Sequence, residues 1–146
     1  MTDDHTFALF ADALRAFIRR VSDSSAPRQD RSTVHPDSEF SRLALALFSL
    51  QFQQNAPYQR FCQRRGISPA SVTDWTQIPG VPASAFKELE LTCLPAPERT
   101  AVFHSSGTSG QRPSRHLHSA QSLALYETSL LPWFLTHLVP EWHAST

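Results

Sequence analysis

Lysine is nearly missing from this 146-residue chain, whose thirteen basic residues are twelve Arg and a single Lys, Lys87. Thirteen acidic residues balance them, and the formal net charge is zero. A chain without surplus positive charge lacks the electrostatic footprint of one that coats nucleic acid or anionic lipid. Cysteine is scarce as well. Cys62 and Cys93 stand in no paired pattern such as C-x-x-C, so they read as buried thiols in a reducing compartment. No apolar run approaches the roughly 20 residues needed to span a bilayer. The opening MTDDHTFALF is acidic and has no basic region ahead of an apolar stretch, so it is not a signal peptide. These absences point to a soluble cytoplasmic protein with no nucleic acid partner and no membrane span. Glycine is rare too, with four in all, and two of them stand three residues apart at Gly107 and Gly110.

What is present suffices for one modest domain with a core. Apolar residues make up 40% of the chain, which excludes disorder throughout. From about Asp4 to Val21, Phe7, Phe10, Leu14, Phe17, Ile18 and Val21 recur at steps of three and four, predicting an amphipathic helix. Arg15, Arg19 and Arg20 gather toward its last turn, where positive charge suits the helix dipole. Residues 22–36 have no periodicity and read as a linker. A second helix is expected from Asp37 as N-cap through SEFSRLALALFSLQFQQ, apolar around most of its circumference. Asn55 should cap a short third helix with Pro57 near its start and Gly66 at its end.

Residues 67–82 hold three prolines and a Gly and read as extended, with one short helical turn anchored by Trp75 and Ile78. A short helix is expected around Ala83 to Glu88. The alternation of Leu89, Leu91 and Cys93 with Glu90 and Thr92 predicts a strand ended by Pro95 and Pro97. Another strand is expected from Thr100 to Phe103. The helical pattern resumes from Ser119 to Leu138, with Pro132 expected to kink or split it. The fold class is therefore α/β and helix-rich. The expected division is an N-terminal helix and linker over residues 1–36, followed by the main domain over 37–146.

The chemistry concentrates in Ser105-Ser106-Gly107-Thr108-Ser109-Gly110, entered from a strand. Glycines let successive N–H groups turn inward toward an anion, and hydroxyls add rotatable donors, one of which can ligate Mg²⁺. Arg112 and Arg115 follow closely and bring supporting charge. Other loop motifs fail. A Walker A loop needs its second Gly where Arg112 stands, and a hydrolase nucleophile elbow needs Gly where Gln111 stands. A dinucleotide fingerprint is absent.

The six residues resemble the phosphate-binding loop of acyl-adenylating enzymes, the superfamily of acyl-CoA synthetases, peptide-synthetase adenylation domains and firefly-type luciferases. That loop runs Ser/Thr, Ser/Gly, Gly, Ser/Thr, Ser/Thr, Gly. The preceding VPASAFKELEL, residues 81–91, resembles the P-V-x-x-F-K stretch of LuxE-type acyl-protein synthetases, and Arg115-His116 and the helix from Ser119 also follow as in that family. The resemblance covers about residues 37–140. It implies a helix-rich N-terminal portion of an acyl-adenylating large domain. It also implies ATP and Mg²⁺ as cofactors, a carboxylic, fatty acid as substrate, and an acyl-accepting protein or reductase as partner. The implied reaction is attack of the acid on the α-phosphate of ATP, then transfer of the acyl group to a protein thiol. Ser105 to Gly110 would grip the β- and γ-phosphates, with Thr108 and Ser109 as the contacts to phosphate or Mg²⁺.

Two features depart from the superfamily pattern. No Lys follows the last Gly, where many members carry Pro-Lys, and the later motifs would lie past Thr146. The expectation is thus an N-terminal portion that does not complete the reaction alone. The alternatives are a CoA ligase of the phenylacetate type and a truncated, non-catalytic remnant. Lys87 either approaches phosphate or fixes its own segment. Neither Cys62 nor Cys93 matches the acyl-carrying position. His104, His116 and His118 have no third ligand at a telling spacing, so no metal site is expected.

Overall fold

The computed structural model describes residues 3–23, 36–106 and 112–139. Helices α1 (Asp3–Asp23), α2 (Pro36–Gln54) and α3 (Ala56–Gln63) come first. The one-turn α4 (Ala85–Glu88), strands β1 (Ala101–His104) and β2 (Arg115–His118), and α5 (Ala120–Leu138) follow. Single 3-10 turns occupy Pro69–Ser71, Trp75–Gln77 and Ala96–Glu98. The chain divides into two compact units: Thr33–Ala120, and Met1–Ser32 together with Gln121–Thr146. At the coarse level it is helix-rich with one small two-stranded sheet.

The first unit named is built around a single junction. Asn55 takes an extended conformation between α2 and α3. Its N–H still donates to the Gln51 carbonyl (3.0 Å), and its own carbonyl accepts from the Gln59 N–H (2.8 Å). Its side-chain Oδ1 accepts from the Tyr58 N–H at 3.2 Å, and Pro57 has no N–H to satisfy. One buried residue therefore ends one helix and starts the next. At the far end, the Ile67 N–H reaches the Cys62 carbonyl (3.1 Å) and the Gly66 N–H reaches the Gln63 carbonyl (3.0 Å). This is the Schellman pairing, and Gly66 supplies its positive φ of 67°. The core that results comprises Phe48, Tyr58, Cys62 and Val72, with Phe52, Phe61, Ile67 and Ile78 packed around it. Phe48 meets Tyr58 edge-on at 6.1 Å between ring centroids. Leu43 and Leu50 are buried on another face of α2, as expected for a helix apolar around most of its girth.

Several expectations need correction. α2 begins at Pro36, one residue ahead of the expected start, so Asp37 lies within the helix. Residues 67–82 form two 3-10 turns and not one. Ile78 packs on the core as expected, whereas Trp75 stays 45% exposed and sets its ring edge-on against Phe40 at 5.2 Å. The strand expected over Leu89, Leu91 and Cys93 does not form. Side chains there do the work of a ladder. Cys93 Sγ donates to Gln51 Oε1 (3.3 Å), Thr92 Oγ1 accepts from the Leu94 N–H (3.0 Å), and Arg99 donates to the Leu94 carbonyl and pairs with Glu90 at 2.8 Å. Alternation records which side chains face inward, and a strand needs a partner edge as well. Finally, Pro132 does not split the last helix, since α5 runs through it to Leu138. The linker expected over residues 22–36 lies mostly outside the described residues; its ends belong to α1 and α2.

Candidate phosphate-binding site

β1 and β2 form an antiparallel ribbon that pairs Ala101 with His118, Val102 with Leu117, Phe103 with His116 and His104 with Arg115. The chain between them is the hydroxyl-rich loop. Two bonds pin its neck: the Ser105 N–H donates to the Ser114 carbonyl (3.3 Å), and the Ser114 N–H donates to Ser105 Oγ (3.0 Å). Ser114 is buried, and its Oγ lies 3.0 Å from His116 Nε2. The His116 ring in turn lies against Phe86 of α4, with centroids 5.1 Å apart. A continuous set of contacts thus runs from α4 through β2 to the mouth of the loop. Lys87 follows Phe86 in the same turn of α4 and is partly buried.

Of the residues singled out from sequence, Ser105 and Ser106 stand exposed just past the end of β1, Arg112 is exposed ahead of β2, and Arg115 is exposed at its first position. Gly107, Thr108, Ser109, Gly110 and Gln111 lie outside the described residues. Ser114 is not among the residues that the sequence points to, and His116 enters there through the family resemblance and as a histidine without a metal partner set; both belong to the neck. The signal for them lay in the spacing, because a ribbon closing on Ser105 brings Ser114 opposite it. One further regularity bears on charge. From Arg99 to Tyr126 there is no Asp or Glu, while Arg99, Arg112, Arg115, His104, His116 and His118 all fall within that stretch. The ribbon and its loop are therefore locally cationic in a chain of zero net charge, which favours an anionic ligand. The donor set fits a polyphosphate. Mg²⁺ fits there only in the company of phosphate, because the stretch offers hydroxyls and no carboxylate.

The two thiols are unsuited to nucleophilic chemistry. Burial pushes Cys93 from its ordinary 9.0 up to about 11, and burial also raises Cys62. Both are protonated near neutral pH. His116 lies against Phe86, His118 lies against Phe103 at 4.6 Å, and among the described residues no cluster of His, Cys, Asp and Glu is arranged to hold a metal ion. Among those residues, too, no helix is long and apolar enough to cross a membrane.

Comparison with known proteins adds a family. The family model described as acyl-protein synthetase, LuxE, matches residues 26–123. A long-chain-fatty-acid–luciferin-component ligase of Vibrio harveyi is 39% identical over 70 residues, covering 48% of this chain and 18% of that protein. The matched stretch thus spans less than a fifth of the relative's length. No solved structure matches the chain.

Proposed function

This chain belongs to the LuxE family of acyl-protein synthetases, an enzyme family, and we propose that its β1–β2 ribbon supplies the phosphate grip with which such an enzyme activates a fatty acid on ATP. The observation that carries this reading is the pinned, acid-free hairpin, whose mouth is set by Ser105 and Ser114 and flanked by Arg112 and Arg115. The name of the Vibrio harveyi relative, a long-chain-fatty-acid ligase, supports the choice of acid.

In this reading the carboxylate of the acid displaces pyrophosphate from the α-phosphorus of ATP and forms an acyl-adenylate. A thiol on an acyl-accepting protein then displaces AMP and takes the acyl group as a thioester. ATP brings the adenylyl group and the leaving pyrophosphate, and Mg²⁺ screens their charge. The chain's own part is positioning and electrostatics. Backbone N–H groups at Gly107 and Gly110, with the hydroxyls of Thr108 and Ser109, hold the β- and γ-phosphates. Arg112 and Arg115 offset the charge that grows on the departing pyrophosphate. The neck holds that loop at a fixed end of the ribbon, and α4 braces the neck through Phe86. The segment is then part of a larger α/β adenylating domain that works in the cytoplasm, with a reductase or other acyl-accepting protein as its partner.

ATP–pyrophosphate exchange in the native polypeptide that carries this sequence tests the reading. Exchange should depend on added fatty acid. Thr108→Val should lower it about 100-fold, the scale of losing one donor to a developing anion, with the melting temperature unchanged. Exchange indifferent to the acid, or to both Thr108→Val and Arg112→Ala, would sink it.

A further inference from the structure

Between α2, α3 and the segment that runs through α4 lies a cavity of about 390 Å³. Ala44, Leu47 and Phe48 from α2, Tyr58 from α3, Phe86 from α4 and Leu91 supply its apolar walls. Its volume falls at the lower end of the ~300–1,000 Å³ usual for small-molecule sites. Gln51, Asn55 and Tyr58 are the polar side chains on its wall, and most of their polar atoms are engaged. Gln51 Oε1 accepts from Cys93 Sγ and from Asn55 Nδ2, each at 3.3 Å. Asn55 Oδ1 is held by the Tyr58 N–H, and the Tyr58 hydroxyl donates to the Pro79 carbonyl at 3.0 Å. Among the described residues, no buried side-chain nitrogen or oxygen lacks a hydrogen-bond partner. Such a wall has little to offer a base, a sugar or a phosphate, most of whose own polar groups would be buried unpaired. It suits a ligand that makes no hydrogen bonds.

Phe86 ties this cavity to the hairpin, since it lines the cavity and also lies against His116, which bonds to Ser114 at the neck. We infer that the cavity seats the aliphatic tail of the acid, with Phe86 as the wall shared between the tail and the bracing of the phosphate loop. This rests on the acyl-activating reading and adds where the tail lies and which residues set its length. Leu47 and Ala44 stand one turn apart along α2 and act as the length gauge.

The experiment is titration of the protein with saturated fatty acids from octanoate to dodecanoate, followed by calorimetry. Affinity should rise about fourfold per methylene, the ratio that corresponds to ~0.8 kcal/mol. Leu47→Trp and Ala44→Phe, which fill the cavity, should weaken dodecanoate at least tenfold and octanoate much less. A dodecanoate analogue with a terminal diazirine gives a second readout on the unmutated chain, with crosslinks expected on peptides bearing Leu47, Phe86 or Leu91. Absence of saturable binding, affinity flat with chain length, or crosslinks confined to other segments would overturn the inference. The two readings fail separately. Acid-dependent exchange with unaltered chain-length preference in Leu47→Trp keeps the phosphate grip and removes the tail seat. Chain-length-dependent binding that Leu47→Trp abolishes, without any exchange, keeps the tail seat and removes the grip.

Discussion

Cys93 is a thiol that serves structure and not catalysis. Its Sγ donates to Gln51 beneath the cavity wall, and burial holds its pKa at about 11 against an ordinary 9.0. Above pH 9 the unfolded chain ionises this thiol while the folded chain keeps it protonated. The stability this confers is therefore whole below pH 9 and is lost as pH rises toward 11. Urea midpoints should fall across that window, and Cys93→Ala should flatten part of the slope, with Cys62 carrying the same sign. Alkylation of Cys93 by iodoacetamide at pH 7.5 should be slow in the native state and fast in urea.

At the level of elements, the junction between α2 and α3 is the clearest case of local sequence deciding local structure. Asn55→Ala removes the acceptor for the Tyr58 N–H and the donor to Gln51. It should cost about 1 kcal/mol, within the ~0.5–2 kcal/mol usual for a lost N-cap. Asn55→Asp, which keeps the acceptor, should cost less, and a urea melt of both variants measures the difference. This junction, the Gly66 turn and the period of α1 were legible because each is written in neighbouring residues. The strand expected at Leu89 to Cys93 was not, because pairing depends on an edge supplied elsewhere in the fold. Continuation of α5 through Pro132 was equally hidden. The ring removes the donor that would meet the Thr128 carbonyl, yet a helix that is already formed on both sides can carry one missing bond. Nearby, Thr128 and Ser129 turn their hydroxyls back onto the Ala124 and Tyr126 carbonyls at 2.7 and 2.8 Å. At the site, the loop's residue types raise the expectation of a phosphate grip, and Gly107 to Gln111 lie outside the described residues. The brace of Ser114, His116 and Phe86 could be seen only once the ribbon had placed them together.

For the molecule as a whole, apolar surface is unevenly shared. On α5, Leu131, Trp133 and Leu138 are each more than half exposed. Leu131 and Leu138 stand seven residues apart and share a face of the helix, and exposed apolar side chains of this size invite association. Leu131→Glu with Leu138→Glu should raise the concentration at which the chain stays monomeric, as read by light scattering, and should leave fatty acid binding in the Thr33–Ala120 unit unchanged. A rise in aggregation, or loss of that binding, would contradict this expectation.

The neck at Ser105 and Ser114 has an evolutionary corollary. A loop closed by bonds at its own base is insulated from the ribbon beneath it, and the entropy of closing it grows only as the logarithm of its length, about 0.6 kcal/mol per doubling. Residues can then be gained or lost between Gly107 and Gln111 without shifting the strand register. The hairpin then acts as a socket whose loop can change in length while the pairing of its strands stays the same.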